Sequence, residues 1–130
     1  GCQTIGAHMR EHGYGRIVNM ASLAGQNGGS ATGAHYAAAK GGIITLTKVF
    51  ARDLAANGVT VNAISPGPQD LDSVRELLPP EKLEAVIKTI PVGELGDPGF
   101  IARLVALLAD PQASSATGAT FDVNGGLYLR

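Results

Sequence analysis

The 130-residue sequence predicts an α/β fold built around a parallel β-sheet. Three short segments rich in apolar and β-branched residues alternate along the chain with segments of helical periodicity. Eighteen glycines and abundant alanine suit the tight turns and closely packed helices of such folds. Alternating strands and helices favour right-handed βαβ crossovers, whose strands run parallel. In such sheets ligands bind at the carboxyl ends of the strands.

The first half of the chain predicts a helix, a strand, a loop and a long helix. Residues 3–12 have helical spacing and end at Gly13, a residue type that commonly follows a helix. Residues 16–21 form a short apolar strand, and residues 22–33 hold four glycines and predict a loop. The longest helix is expected over residues 35–57. Its apolar stripe consists of Ile43, Leu46, Phe50 and Leu54.

The second half predicts two further strands and two further helices. Residues 59–64 form a β-branched strand that ends before Pro66-Gly67-Pro68, and residues 119–123 form a third strand. Asp97 followed by proline is an N-cap signature for a last helix. A short helix begins near Pro80, and its apolar side is equally consistent with a mobile lid over a substrate and with core packing.

Charge and cysteine content limit the classes of partner and compartment. The formal net charge is −1 and no basic block is longer than two residues, so neither nucleic acid nor a membrane surface is indicated as a partner. Cys2 is the only cysteine, which rules out an intrachain disulfide and favours a reducing, cytoplasmic location. The three histidines lack partners at metal-ligand spacing, so we expect no metal site.

Tyr36 and Lys40 are the residues that most strongly suggest chemistry. They are four positions apart at the start of the long helix and therefore share one face. A phenol has a reference pKa of about 10, but a nearby ammonium and a helix N-terminus both favour the phenolate. Tyr36 could then exchange a proton with an alcohol or carbonyl oxygen. Ser22, which follows the first strand, could bind the same oxygen.

Each of these features also has an ordinary structural explanation. Tyr-Lys pairs at this spacing occur on many exposed helices, and serines at strand ends are commonly turn residues or caps. The conjunction of strand, serine, glycine-rich loop, Tyr-x-x-x-Lys helix, second strand and Pro-Gly is what indicates a reaction centre.

Four segments together resemble the short-chain dehydrogenase/reductase family. They are Gly15-Arg-Ile-Val-Asn-Met-Ala-Ser22, Tyr36-Ala-Ala-Ala-Lys40, Val59-Thr-Val-Asn-Ala-Ile-Ser-Pro-Gly67 and Thr117-Gly-Ala-Thr-Phe-Asp-Val-Asn-Gly-Gly126. The resemblance covers essentially the whole chain. It implies the C-terminal part of a Rossmann-like doubly wound parallel sheet, with residues 1–130 as a single partial domain and the N-terminal nucleotide-binding half missing.

The resemblance also implies roles for individual residues. Tyr36 would be the general acid/base, Lys40 would bind the nicotinamide ribose hydroxyls and favour ionisation of the tyrosine, and Ser22 would hold the substrate oxygen. The nicotinamide would be bordered by Pro66, Gly67 and the backbone near Gln69. The implied reaction is hydride transfer between NAD or NADP and a ketone or secondary alcohol. A 3-oxoacyl thioester is one candidate, because residues 65–126 are similar to 3-oxoacyl-[acyl-carrier-protein] reductases.

The sequence departs from the family pattern in its nucleotide-binding features. Gly13-Tyr-Gly15 is followed by Arg16-Ile-Val rather than by the third glycine of a nucleotide-binding loop. The residue that selects between NAD and NADP is absent, as is the helix Asn that supports the lysine in the family.

An alternative to the enzyme therefore stays open: a catalytically inactive truncated fragment that acts only as an oligomerising module. The alanine-rich face of the long helix resembles surfaces through which the family forms homodimers and homotetramers. We expect the isolated chain to self-associate and not to bind the cofactor.

Overall fold

The computed structural model describes residues 1–29 and 32–130 and confirms the predicted α/β architecture. The helices are α1 (Cys2–His12), α2 (Ala24–Asn27), α3 (Ala34–Leu54), α4 (Asp72–Leu77), α5 (Pro80–Thr89) and α6 (Pro98–Ala109). The strands are β1 (Gly15–Met20), β2 (Val59–Pro66) and β3 (Thr120–Val123). Short 3₁₀ turns cover Ala55–Asn57 and Ala113–Ser115.

The three strands form one parallel sheet in the order β1-β2-β3. Strand β1 pairs with β2 from Gly15 opposite Val59 to Met20 opposite Ile64, and β2 pairs with β3 from Ala63 opposite Thr120. Strand β2 is central and is buried from Val59 to Ser65. Because all three strands run in the same direction, their carboxyl ends meet at one edge of the sheet.

Helix α3 and the sheet share the main apolar core. Ala51 and Leu54 of α3 pack with Val59 and Val61 of β2, and side chains from α1, β1 and α3 cover this cluster. Gly58 makes the tight connection from α3 to β2 with φ of 72°. A Cβ atom there would collide with the Gly13 carbonyl oxygen, so the close approach of the two turns requires glycine.

Polar side chains tie the sheet to the segment that follows α6. The Arg16 guanidinium donates to the carbonyl oxygens of Asp110 and Pro111, at 3.2 and 2.8 Å. Asn62 donates to the Ala116 carbonyl at 2.6 Å and accepts from the Ala119 amide at 3.1 Å. The buried Asn62 side chain thereby has a hydrogen-bond partner for its amide nitrogen and one for its amide oxygen, as burial requires.

The buried stripe of α3 differs from the predicted one. Leu46 is 52% exposed, whereas Thr47 is fully buried. A buried hydroxyl is tolerated because Thr47 Oγ1 donates to the Ile43 carbonyl at 2.8 Å and accepts from Asn19 Nδ2 at 2.9 Å. The stripe prediction was therefore wrong at Leu46: at this level of α3 the inward-facing residue is Thr47, whose hydroxyl is bonded to Asn19 of β1.

Two short helices were not expected. Helix α2 lies within the predicted loop 22–33, of which residues 30 and 31 lie outside the described part, and α4 precedes the predicted helix α5. The other predicted elements are confirmed with small shifts of their ends, including the Gly13 cap at φ of 67° and the Asp97 cap, whose Oδ1 accepts from the Gly99 amide at 2.7 Å. Within residues 1–29 and 32–130, no helix combines the length and apolarity needed to cross a membrane.

Candidate active site

Ser22 lies at the carboxyl edge of the sheet, just beyond β1 and beside the end of β2. The residues on either side of it are bonded to β2: the Ala21 amide donates to the Ile64 carbonyl at 2.8 Å, and the Leu23 amide donates to the Pro66 carbonyl at 2.9 Å. The Ser22 hydroxyl accepts from the Ala24 amide at 3.2 Å. That bond uses an oxygen lone pair and not the hydroxyl proton, so Ser22 keeps a donor for a second partner.

A glycine–glycine contact brings α2 onto the first turns of α3. A Cβ atom on Gly25 would lie 2.5 Å from the Lys40 carbonyl carbon and 2.6 Å from the Gly41 nitrogen, and a Cβ atom on Gly41 would lie 3.1 Å from the Gly25 carbonyl oxygen. The two backbones can approach this closely only without side chains. Ser22, two residues before α2, is thereby held near the helix that carries Tyr36 and Lys40.

Tyr36 and Lys40 share one face of α3, as their spacing predicted. The Lys40 ammonium nitrogen lies 5.6 Å from the centre of the Tyr36 ring, within the distance at which a cation and an aromatic face attract. The same nitrogen donates to the Met20 carbonyl oxygen at 2.8 Å. An ammonium group has three protons, so this bond anchors Lys40 to β1 and leaves two donors for other groups.

A cleft of about 530 Å³ opens at this edge of the sheet. It brings together four of the predicted site residues, Ser22, Tyr36, Pro66 and Gly67. The remaining lining residues are mostly apolar or small and are Leu23, Ala24, Asn27, Gly29, Thr32, Pro68, Ala85, Val86, Thr89 and Leu127. Its volume falls within the range of about 300–1,000 Å³ that is usual for small-molecule sites.

Lys40 and Gln69 do not line this cleft. Lys40 lies beside Tyr36 and is held by β1. Gln69 Nε2 donates to the Gly67 carbonyl at 3.1 Å, and its side chain lies so close to Gly96 that a Cβ atom there would clash with it. Gln69 thus supports the Pro66-Gly67 turn from outside the cleft.

Helix α5 supplies one wall of the cleft through Ala85, Val86 and Thr89. None of its described residues is fully buried, so the helix lies on the molecule without being part of the core. The cleft residues of α5 and Leu127 were not predicted as site residues. The apolar periodicity near Val86 was the available signal, but periodicity alone does not distinguish a cleft wall from core packing.

The side chains present fit one end of a nicotinamide dinucleotide. The Tyr36 and Ser22 hydroxyls and the Lys40 ammonium are the donors that ribose hydroxyls and a carbonyl oxygen require. Pro66 and Gly67 offer an uncharged surface for a flat ring. The diphosphate end needs a glycine-rich turn leading from a strand into a helix. Gly13-Tyr14-Gly15 instead leads from α1 into β1.

Metal-ligating side chains do not cluster in the described ranges. Over residues 1–29 and 32–130, no group of three or more histidine, cysteine or acidic side chains is placed to hold a metal ion. The His8 and His12 rings lie with their centres 4.4 Å apart and their planes inclined by 45°, on the exposed surface of α1 and away from the cleft.

Comparison with known proteins agrees with this geometry. A family model described as enoyl-(acyl carrier protein) reductase matches residues 1–128. The chain is 48% identical to an acetoacetyl-CoA reductase of Rhizobium meliloti over 123 residues, covering 93% of this chain and 50% of that protein. It is 46% identical to a 3-oxoacyl-[acyl-carrier-protein] reductase of Vibrio cholerae, covering 93% of this chain and 49% of that protein.

A crystal structure of a 3-oxoacyl-[acyl-carrier protein] reductase from Brucella melitensis superposes with a TM-score of 0.92 at 35% identity. The match covers 99% of this chain and 48% of the Brucella chain. The chain thus spans about half the length of the relatives it matches, with the same arrangement of strands and helices. By the family match over residues 1–128 and these likenesses, it belongs to the short-chain dehydrogenase/reductase family.

Proposed function

We propose that these residues form the catalytic side of an NAD(P)-dependent reductase that converts the ketone of a 3-oxoacyl thioester into a secondary alcohol. The observation that carries the proposal is the convergence of Ser22 and Tyr36 on one cleft, with the Lys40 ammonium 5.6 Å from the tyrosine ring. The acetoacetyl-CoA and 3-oxoacyl-carrier relatives support the choice of substrate class.

Substrate binding is assigned to two hydroxyl groups. The ketone oxygen accepts hydrogen bonds from Ser22 and Tyr36, both of which line the cleft. Two donors directed at one oxygen stabilise the negative charge that develops on it during reduction. The Ser22 donor is available for this role because its bond from the Ala24 amide uses a lone pair.

Proton transfer is assigned to Tyr36. When bound, the reduced nicotinamide supplies the hydride that forms the new C–H bond. The carbonyl π-bond breaks, its electron pair moves to oxygen, and Tyr36 gives its phenolic proton to that oxygen. The positive charge of Lys40 stabilises the resulting phenolate, and its bond to the Met20 carbonyl keeps it in place.

Cofactor contacts are assigned to the same edge of the sheet. The two remaining donors of Lys40, together with Tyr36, bind the nicotinamide ribose hydroxyls, and Pro66 and Gly67 border the ring. The backbone near Gln69 completes this border, with the Gln69 side chain supporting the turn from behind. A glycine-rich nucleotide-binding half has to hold the diphosphate, because the cleft residues provide only the nicotinamide side.

The acyl group is assigned to the apolar wall of the cleft. Leu23, Val86 and Leu127 give this wall a surface suited to a short hydrocarbon chain. The cleft is open rather than enclosed, since Tyr36 within it is 38% exposed. The thioester carrier can therefore extend into solvent while the ketone lies between Ser22 and Tyr36.

The test is a hybrid protein in which the nucleotide-binding half of the Vibrio relative precedes these 130 residues. We expect the hybrid to oxidise NADPH or NADH when acetoacetyl-CoA is added. The Tyr36→Phe hybrid should lose at least about 100-fold in kcat, the usual range for loss of a general acid. Tyr14→Phe is the matched control, because Tyr14 is exposed near β1 and does not line the cleft. Full turnover by the Tyr36→Phe hybrid would refute the assignment.

A second candidate function is a catalytically inactive module that only associates with other chains. The observation that favours it is the set of large apolar side chains on the surface, including Leu46, Phe100 and Leu107. A folded hybrid that binds NADPH but reduces no 3-oxoacyl thioester would support this second candidate over the enzyme.

A further inference from the structure

A chain of hydrogen-bonded polar side chains runs from the buried end of β2 to the C-terminus, outside the cleft. The Ser65 hydroxyl donates to Gln26 Oε1 at 2.7 Å, and Gln26 Nε2 donates to Asp122 Oδ1 at 2.7 Å. Arg130 Nε donates to Asp122 Oδ2 at 2.8 Å, and Arg130 also donates to the Thr120 carbonyl. All the side-chain bonds in this chain are at or below the typical length for their kind.

The sheet register explains why these residues meet. Ser65 and Asp122 are direct partners in the parallel pairing of β2 with β3. Side chains of directly paired residues lie on the same face of a sheet. Gln26, which α2 contributes four residues after Ser22, bridges the two.

The orientation of the Gln26 amide is determined by its neighbours. The Asp122 carboxylate accepts hydrogen bonds and cannot donate them, so it must face the amide nitrogen. The amide oxygen then faces Ser65, whose hydroxyl donates to it. Turning the amide over would place its oxygen against the carboxylate and would break the bond to Asp122. The Ser65 hydroxyl would then have to accept from the amide nitrogen instead of donating to the amide oxygen. Ser65 is fully buried, so this change would leave its hydroxyl proton unsatisfied.

This network fixes the position of α2, which the glycine contact between α2 and α3 does not fix. Gly25 and Gly41 let the two backbones touch, but neither has a side chain that prevents sliding. The bonds of Ala21 and Leu23 to β2 fix the backbone on either side of Ser22. The Ser22 hydroxyl is held instead by the Ala24 amide, which belongs to α2 and moves with that helix. The Gln26 bonds fix this helix, and hydrogen bonds are directional, so they resist a rotation of α2 that apolar contact would allow.

We propose that Gln26 is a positioning residue that sets the location of the Ser22 hydroxyl relative to Tyr36. It does so by joining α2 to the paired residues Ser65 and Asp122. The inference rests on the proposed function, in which Ser22 binds the substrate oxygen. It adds a residue that touches neither substrate nor cofactor and acts through Ser22.

The test exchanges the amide and the carboxylate of the network. Gln26→Glu places a second carboxylate against Asp122 and should lower kcat of the hybrid reductase on the order of tenfold, through misplacement of Ser22. KM for NADPH should not change, because the proposed contacts with the cofactor do not include Gln26. Adding Asp122→Asn lets the new carboxylate accept from Ser65 and from the new amide, and Arg130 can still donate to position 122. The double variant should regain most of kcat.

The matched control is Gln112→Glu, which makes the same chemical change on an exposed turn. Its kcat should equal that of the parent hybrid. An unchanged kcat in Gln26→Glu, or a double variant no better than Gln26→Glu, would overturn the proposal. If all variants, including Gln112→Glu, showed a similar decrease in kcat and a similar change in KM for NADPH, the cause would be general destabilisation. That result would also contradict the proposal.

A second readout does not depend on turnover. Amide hydrogen exchange of the peptide that covers residues 22–29 should accelerate in Gln26→Glu and return to the parent rate in the double variant, with exchange of α6 unchanged. The parent hybrid could prove inactive while exchange of residues 22–29 is faster in Gln26→Glu and normal in the double variant. In that case the reductase proposal fails, but the proposal that the network holds α2 in place is supported. Unchanged exchange in Gln26→Glu would overturn that hold whatever the activity.

Discussion

The Lys40 ammonium nitrogen is shared between the Met20 carbonyl oxygen, which it contacts at 2.8 Å, and the Tyr36 ring, whose centre lies 5.6 Å away. One lysine thus joins the end of β1 to the first turn of α3. Because Ser22 comes two residues after the end of β1, the same link places the serine turn and the tyrosine helix at a common edge of the sheet.

Replacement of Lys40 should therefore affect chemistry more than folding. We expect Lys40→Met in the hybrid reductase to lower kcat/KM by roughly 100-fold or more, because it removes a positive charge that stabilises the Tyr36 phenolate formed by proton transfer. Lys40→Arg should retain only part of the parent kcat/KM, because a planar guanidinium does not replace an ammonium point charge. Lys48→Met, an exposed change on the same helix, is the control and should leave kcat/KM unchanged.

The two glycines at positions 25 and 42 should respond oppositely to alanine. A Cβ atom on Gly25 would meet the Lys40 and Gly41 backbone, which cannot move aside, so Gly25→Ala should destabilise the protein by about 1–3 kcal/mol. A Cβ atom on Gly42 would have no neighbouring atom within 4 Å outside its own helix, so Gly42→Ala should stabilise the protein by about 0.5–1 kcal/mol. Urea denaturation measures both, and a stable Gly25→Ala variant would contradict the close crossing.

Leu54 and Leu46 test which side of α3 faces the core. Leu54 is 2% exposed, and Leu54→Ala should cost about 2–5 kcal/mol in the free energy of unfolding. Leu46→Ala should change it by less than about 0.5 kcal/mol, since this side chain is 52% exposed. Equal losses at the two positions would mean that Leu46 is buried, either in the core as the predicted stripe requires or in an assembly.

The Asp70–Arg75 pair should show in a pH titration. Hydrogen bonds from Arg75 at 2.6 and 2.8 Å hold the pKa of the Asp70 carboxyl below its ordinary value. A lowered folded-state pKa stabilises the fold above the unfolded-state value, and this contribution disappears as the pH falls through the folded-state pKa. Arg75→Gln should raise the Asp70 pKa in a carboxyl ¹³C NMR titration. Arg103→Gln is the control: it removes the partner of Asp97 and should leave the Asp70 pKa unchanged.

The isolated 130-residue chain should associate with itself and fail to bind the cofactor. Strand β1 pairs with β2 alone among the described strands, and Ile5, Met20 and Leu107 are exposed apolar side chains. Unpaired strand edges and apolar surface both promote association. Sedimentation velocity should detect species larger than a monomer. A monodisperse monomer that binds NADPH at micromolar concentration in a fluorescence titration would contradict this expectation.

Local sequence determined most of the elements of this protein and the spacing of its most reactive pair, although helices α2 and α4 were not expected from it. The Gly13 and Asp97 caps, the β-branched strands and the four-residue interval from Tyr36 to Lys40 depend on neighbours in the chain, and each was predictable for that reason. The α/β class followed from their alternation, and the family resemblance added roles for Ser22, Pro66, Gly67 and Gln69 that stay predictions.

Tertiary structure decided everything that joins residues far apart in the chain. Thr47 faces inward because Asn19 of β1 meets it, and Gln69 lies outside the cleft because Gly96 leaves room for its side chain. Gln26 is an ordinary loop residue in the sequence, and its role arises only when the β2–β3 register places Ser65 beside Asp122. Periodicity and capping report the preferences of one segment, whereas these contacts depend on how separate segments pack against each other.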